Sequence, residues 1–131
     1  MSKNFIYSSL VGTLVYFLLG WLVYGFIFPE IHPDEAEPQM INISLGCLFY
    51  AFFFAAILTR WAGISTAKIG FYVGFTLAIL HGISWHFFYL TEAFSMMRLV
   101  KEVVIEGALT GVMAATIAYV NGSVLNATAQ G

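Results

Sequence analysis

The chain has 131 residues, of which 60% are hydrophobic and 9% charged, against about 25% charged in an ordinary soluble domain. Five Lys/Arg, seven Asp/Glu, a net charge of −2 and a mean hydropathy of +0.87 leave too little polar surface to cover a water-soluble protein of this size. That excludes a soluble enzyme, a disordered chain, and a nucleic-acid binder, which would carry a basic footprint.

Four apolar stretches are long enough to cross a bilayer core of about 30 Å at 1.5 Å per residue. They cover roughly residues 5–28, 40–58, 69–90 and 99–120. The expected fold is an all-α membrane protein, four transmembrane helices in an up-down bundle, with residues 1–131 forming one integral membrane domain. Lys3 precedes the first span as the positive flank of a signal peptide would. The apolar run exceeds about 20 residues, however, and no Ala-x-Ala site precedes Glu30, so the span is read as retained. Pro29 stops it, and Pro33 and Pro38 keep the following loop extended. Gly63, followed by Ser65 and Thr66, fits a C-cap and then a new N-cap, which makes spans two and three a tight hairpin. Thr91 caps a short amphipathic turn, Glu92 to Lys101, that leads into span four.

Orientation follows from Lys and Arg near the span ends. With the N-terminus inside, the inner flanks hold Lys3, Arg60 and Lys68 and the outer flanks hold Arg98 and Lys101. The first loop carries Asp34, Glu35 and Glu37 without a basic residue, which agrees with an outer location. A multi-pass protein of the bacterial inner membrane with both termini cytoplasmic is expected. The glycosylation patterns at Asn42, Asn121 and Asn126 are discounted: the first falls at the membrane surface and the others on the cytoplasmic side.

Helices in lipid associate through small residues that let backbones approach. Each span has such a row at four-residue spacing: Ser8, Gly12 and Gly20, with Tyr16 between the glycines; Cys47, Ala51, Ala55 and Thr59; Gly70, Gly74, Ala78 and Gly82; Gly107, Gly111 and Ala115. Gly12, Gly20, Gly70, Gly74, Gly82, Gly107 and Gly111 are the expected packing glycines. Aromatic residues crowd the ends of spans one and three (Trp21, Tyr24, Phe26, Phe28; Trp85, Phe87, Phe88, Tyr89), as an interfacial belt predicts. A lipid- or quinone-binding groove is the second reading of that belt. A short echo between Gly20-Trp21-x-x-Tyr24 and Gly82-x-x-Trp85 hints at a parallel duplication of a two-helix unit.

Few side chains offer chemistry. Cys47 is the single cysteine, so an intramolecular disulfide, a redox cysteine pair and a thiolate zinc site are excluded. His81 lies near the middle of span three and His86 further out; Glu106 is two turns into span four and Glu102 one turn above it. An ionisable group in hydrocarbon costs roughly 2.5–3.5 kcal/mol on insertion scales, so it faces the bundle, pairs or goes neutral. Arg98 and Glu102 stand at the spacing of a helical salt bridge. That leaves Glu106, and a His86–Glu106 hydrogen bond between consecutive spans is the sharpest expectation, either as glue between helices or as a proton relay. His81 and His86 sit about 140° apart on one helix, so one chain cannot ligate a haem through both. His32 with Asp34, Glu35 and Glu37 is a solvated loop before it is a metal site. No metal or cofactor is expected.

The ending Gly20-Trp21-Leu22-Val23-Tyr24-Gly25-Phe26-Ile27-Phe28 resembles that of a family of small four-span bacterial membrane proteins, domain of unknown function seventeen sixty-one, although its tryptophan lies at Trp21 rather than directly before the tyrosine. The stretch Glu106-Gly107-Ala108-Leu109-Thr110-Gly111 is similar to the carboxylate-then-small pattern that opens that family's last helix. The resemblance implies an inner-membrane location and supplies no activity. Three functional readings follow. The first is a non-enzymatic accessory or scaffold subunit that packs against itself or a larger membrane complex, with the lipid bilayer as its medium. The second is an oligomeric small transporter or channel coupled through His86 and Glu106. A lipid-modifying or quinone-handling enzyme comes third, since its clustered polar groups would have to come from the Arg98-to-Glu106 run.

Overall fold

A computed structural model describes residues 3–31, 40–88 and 95–129 of the chain, with side chains as far as 124. Four long helices make up most of these: α1 (Lys3–Leu22), α2 (Met40–Ala55), α3 (Ala67–Phe88) and α4 (Met96–Ala129). No strand occurs among the described residues. Counting the helical turns that extend α1 and α2, all four are long and apolar enough to cross a membrane. The expected loop features at Pro33, Pro38 and Thr91, together with His32 and its acidic neighbours, lie outside the described residues.

Two of the helices end by widening. α1 continues through a π-helical turn, Val23–Ile27, in which the Phe28 N–H reaches the Val23 carbonyl at 2.8 Å. Pro29, which has no N–H to continue the ladder, then opens a short 3-10 turn, Pro29–Ile31. α2 passes into a second π-helical turn, Ala56–Trp61. There the Ile64 N–H closes back on the Leu58 carbonyl at 2.7 Å, with Gly63 at φ +61°. A side chain at that angle would meet the following carbonyl, which is why a glycine ends the helix.

The core forms where α1, α2 and α4 meet, from Phe5, Ala51, Phe54, Ala55, Leu58, Met113, Ala114 and Ile117. Ser8 and Ser9 of α1 are fully buried beside it. Each returns its hydroxyl proton to its own helix, Ser8 to the Asn4 carbonyl at 2.7 Å and Ser9 to Phe5 at 2.6 Å. Small polar residues therefore serve as close-packing residues without needing a partner on the next helix.

α3 packs chiefly along α4, through glycines. A Cβ on Gly70 would stand 2.6 Å from the Ala118 Cβ and 2.7 Å from the Ala114 carbonyl oxygen; one on Gly74 would collide with the Ala114 Cβ. Gly82 faces Val103, while in return Gly107 faces Ile79 and Phe75 and Gly111 faces Phe71. Gly12 of α1 takes the side chain of Ile117, 2.6 Å from where its own Cβ would be. Gly20 is the exception among the expected packing glycines: nothing lies within 4 Å of a Cβ built there.

The largest boundary correction is in α4, expected to end near Val120 but helical to Ala129. Past the apolar run, Asn121 and Gly122 are both buried contacts. The Asn121 amide donates to the Ile64 carbonyl at 3.3 Å, and Gly122 presses on the Ser65 carbonyl where no Cβ would fit. These contacts hold the helix beyond the end of its apolar run.

Candidate functional site

The polar side chains of the apolar helices gather on one ridge of α4. Arg98, Glu102, Glu106 and Thr110 recur every four residues, so they climb one face of the helix over about 18 Å at 1.5 Å per residue. Each rung engages a different part of the molecule. The Arg98 guanidinium donates to the Ile31 carbonyl after α1, and through Nε to Glu102 at 2.6 Å. Glu102 holds His86 of α3, with 2.7 Å between Oε2 and Nε2. Glu106 accepts the Tyr16 hydroxyl of α1, with Tyr24 of the same helix at 3.5 Å and Thr110 of its own helix at 3.2 Å. Thr110 lies 3.4 Å from the Tyr50 hydroxyl of α2.

His86 and Glu106, expected to pair, are therefore not brought together. His86 meets the carboxylate one turn nearer the start of α4, and Glu106 turns to α1. One helical step of four residues separates the two carboxylates, and the level at which α3 lies against α4 selects between them. On its other side the ring faces the Gly82 carbonyl, with Nδ1 at 2.7 Å. A carbonyl accepts only, so Nδ1 carries a proton. The contact to Glu102 then needs a second proton, on Nε2 or on the carboxyl. Both side chains are 17% exposed.

Glu106 has no cation beside it among the described residues; hydroxyls stand where water would. Three donors spread over its two oxygens suit the four acceptor positions of a carboxylate. Among the described residues no buried side-chain nitrogen or oxygen lacks a hydrogen-bond partner. The ridge is a closed set, each member answering another. No group of three His, Cys, Asp or Glu gathers as a metal site among the described residues. His81 stands apart from the ridge, exposed on α3 and stacked on Trp85 with 6.3 Å between ring centroids. Cys47 is a free, half-buried thiol.

Sequence reasoning missed Tyr16, Tyr24, Tyr50 and Thr110 as ridge partners. A readable signal existed for two of them: Tyr16 and Tyr24 are eight residues apart, near one face of α1. At the other corner of the molecule Lys101 reaches Glu30 at 3.1 Å and lies over the Phe28 ring at 5.5 Å. Glu30, outside the helices, is held below the usual glutamate range, first by its own backbone N–H and then by the Lys101 ammonium. No family model, curated protein or solved structure matches the chain.

Proposed function

We propose that the protein is a non-enzymatic accessory or scaffold subunit of the bacterial inner membrane, crossing it four times in an up-down bundle and packing against copies of itself or a larger membrane complex. One observation carries this reading: the polar ridge of α4 is answered inside the molecule, rung by rung, by α1, α2 and α3. Such a ridge fastens helices together and leaves no reactive group waiting for a substrate. The outer face of α3 (Tyr72, Leu80, Trp85, Phe88) and that of α2 (Ile41, Phe49, Phe53) stay exposed, which suits contact with lipid. The resemblance to family seventeen sixty-one belongs to the same proposal and rests on the two motifs that carry it.

Charge supports cytoplasmic termini. Lys3, Arg60 and Lys68 share the end formed by the start of α1, the end of α2 and the start of α3, and the sequence puts no acid there. The described acids, Glu30, Glu102 and Glu106, fall at the other end or on the ridge, where Arg98 and Lys101 are each bonded to a carboxylate. The cations without an acidic partner among the described residues are the ones that the positive-inside rule counts on the cytoplasmic side.

Mild-detergent extraction followed by native mass spectrometry tests the proposal. The expected result is a fixed-ratio assembly, either with a larger complex or as a discrete homo-oligomer; a lone monomer at all protein concentrations overturns it. A second reading, an oligomeric proton-coupled transporter or channel, is favoured by the depth of Glu106 on the ridge. On that reading Glu106→Gln abolishes pH-dependent flux in proteoliposomes. On the scaffold reading no flux exists to lose, and the variant keeps its assembly.

A further inference from the structure

The start of α1 and the C-terminal part of α4 enclose an open groove of about 340 Å³, lined by Lys3, Asn4, Ile6, Tyr7, Leu10 and Val124. Its chemistry runs in one direction. Lys3 and Asn4 stand at the outer end, Tyr7 is one turn in, and Ile6, Leu10 and Val124 make apolar walls. Beyond the groove the same face of α1 continues through the exposed Leu14 and Leu18. From Lys3 to Leu18 the stripe covers about 22 Å at 1.5 Å per residue.

We infer that this groove binds an anionic phospholipid, its headgroup phosphate against the Lys3 ammonium and an acyl chain laid over Ile6, Leu10 and Val124. Two arguments select this occupant. The first is charge: Lys3 sits at the end of the molecule where the sequence places Arg60 and Lys68 and no acid, and among the described residues no carboxylate pairs with it. An ammonium offers three N–H donors, which suits a phosphate oxygen. The second argument is shape. A second helix in lipid needs small residues to approach, whereas isoleucine, tyrosine, leucine and valine wall this groove and suit a flexible chain. The polar-to-apolar order matches a lipid with its head at the surface and its tail pointing inward.

The site rests on the membrane placement proposed above, and the two fail separately. The experiment uses the full chain in nanodiscs of phosphatidylcholine with a minor share of phosphatidylglycerol, and native mass spectrometry counts the lipids retained on release. Preferential retention of phosphatidylglycerol is expected, falling roughly fivefold in Lys3→Gln, the worth of one basic residue near an anionic surface. Lys68→Gln, which removes a cation of the same end outside the groove, keeps the preference. Leu10→Trp fills the groove and lowers retention of both lipids while Lys3 remains. Equal retention of the two lipids by the wild type overturns the site, as do equal losses in Lys3→Gln and Lys68→Gln, which would mean diffuse surface attraction. Displacement by soluble glycerophosphate as effective as by lipid would assign the groove to a free anion and overturn it too. A chain that dissolves without detergent removes the membrane reading itself, whatever the lipids do.

Discussion

α4 carries two ridges side by side, and they hold the molecule in different ways. On one, Gly107, Gly111, Ala114 and Ala118 meet the glycines and rings of α3 so closely that a Cβ at Gly70, Gly74, Gly107 or Gly111 would stand under 3.0 Å from the facing helix, and Val103 faces Gly82 more loosely at 3.2 Å. On the other, Arg98, Glu102, Glu106 and Thr110 reach for named atoms on every other helix. In lipid no hydrophobic drive pushes helices together, so close packing and interhelical hydrogen bonds must share the work. The small-residue ridge sets how near α3 comes. The polar ridge sets which neighbour stands where, and at what level, because a hydrogen bond tolerates a mismatch of tenths of an ångström and not of a helical turn.

The sharpest way to break the comparison is to add bulk to the first ridge. Gly74→Val places atoms where the Ala114 Cβ and the Thr110 carbonyl oxygen already are. The helices must part along α3, and a loss of about 3 kcal/mol is expected, at the upper end of overpacking costs. Reversible unfolding in detergent, read by tryptophan fluorescence, checks it. A loss under about 1 kcal/mol would mean that α3 can ride outward freely and that the ridge does not set its distance.

The polar ridge is expected to give smaller effects that are specific to pairs. Interhelical hydrogen bonds in membrane proteins average about 0.6 kcal/mol in double-mutant cycles and reach about 1.7. The cycles Tyr16→Phe with Glu106→Gln, and His86→Ala with Glu102→Gln, should each show coupling in that range. The cycle His86→Ala with Glu106→Gln should be additive within about 0.5 kcal/mol. Coupling in the last cycle and none in the second would return His86 to Glu106 and undo the register of α3 described above.

How much of this was readable in the sequence divides along the same line. Four helices long and apolar enough to cross a membrane, the glycine stop at Gly63, the Arg98–Glu102 spacing and the close-packing roles of Gly70, Gly74, Gly107 and Gly111 follow from local patterns of composition and period. The partner of Glu106 does not. Choosing among His86, Tyr16 and Tyr50 needs the angular position and level of three other helices around α4, and a one-turn offset of α3 exchanges one carboxylate for the other. The length of α4 is a related case: the apolar run ends near Val120, while the helix continues through Asn121 and Gly122, whose contacts with Ile64 and Ser65 come from another part of the chain. The π-helical turns after Leu22 and Ala55 differ in how much they show: Gly25 and the nearby Pro29 weaken an ordinary α-helix at the first, while Ala56–Trp61 has neither a glycine nor a proline.

Gly20 supplies a control on the first ridge. It belongs to the same four-residue row as Gly12, yet a Cβ there meets nothing within 4 Å, while at Gly12 the Ile117 side chain stands 2.6 Å away. Gly20→Ala should be neutral or stabilising by about 0.5 kcal/mol through helix propensity alone. Gly12→Ala should cost about 1 kcal/mol or more as Ile117 shifts. Equal responses at the two positions would show that the row acts through composition and not through contact.

The smallest effect is expected at the rim of the polar ridge, where Lys101 meets Glu30 at 3.1 Å with both side chains about half exposed. Glu30 lies below the ordinary 4.5 of a free glutamate, chiefly because its own backbone N–H favours the ionised form and secondly because of Lys101. A depressed value means that the folded protein holds the carboxylate more firmly than the unfolded chain does. The contribution is present in full above 4.5 and is lost as pH falls through the lower, folded value. Carboxyl chemical shifts followed through an acid titration should show Glu30 titrating below 4.5, and Lys101→Met should move it only part of the way back, because the larger cause remains. A complete return in Lys101→Met would make the ion pair the main cause. It would also mean that this corner is held across the chain, from α4 to the turn after α1, as the deeper rungs are, instead of by the turn itself.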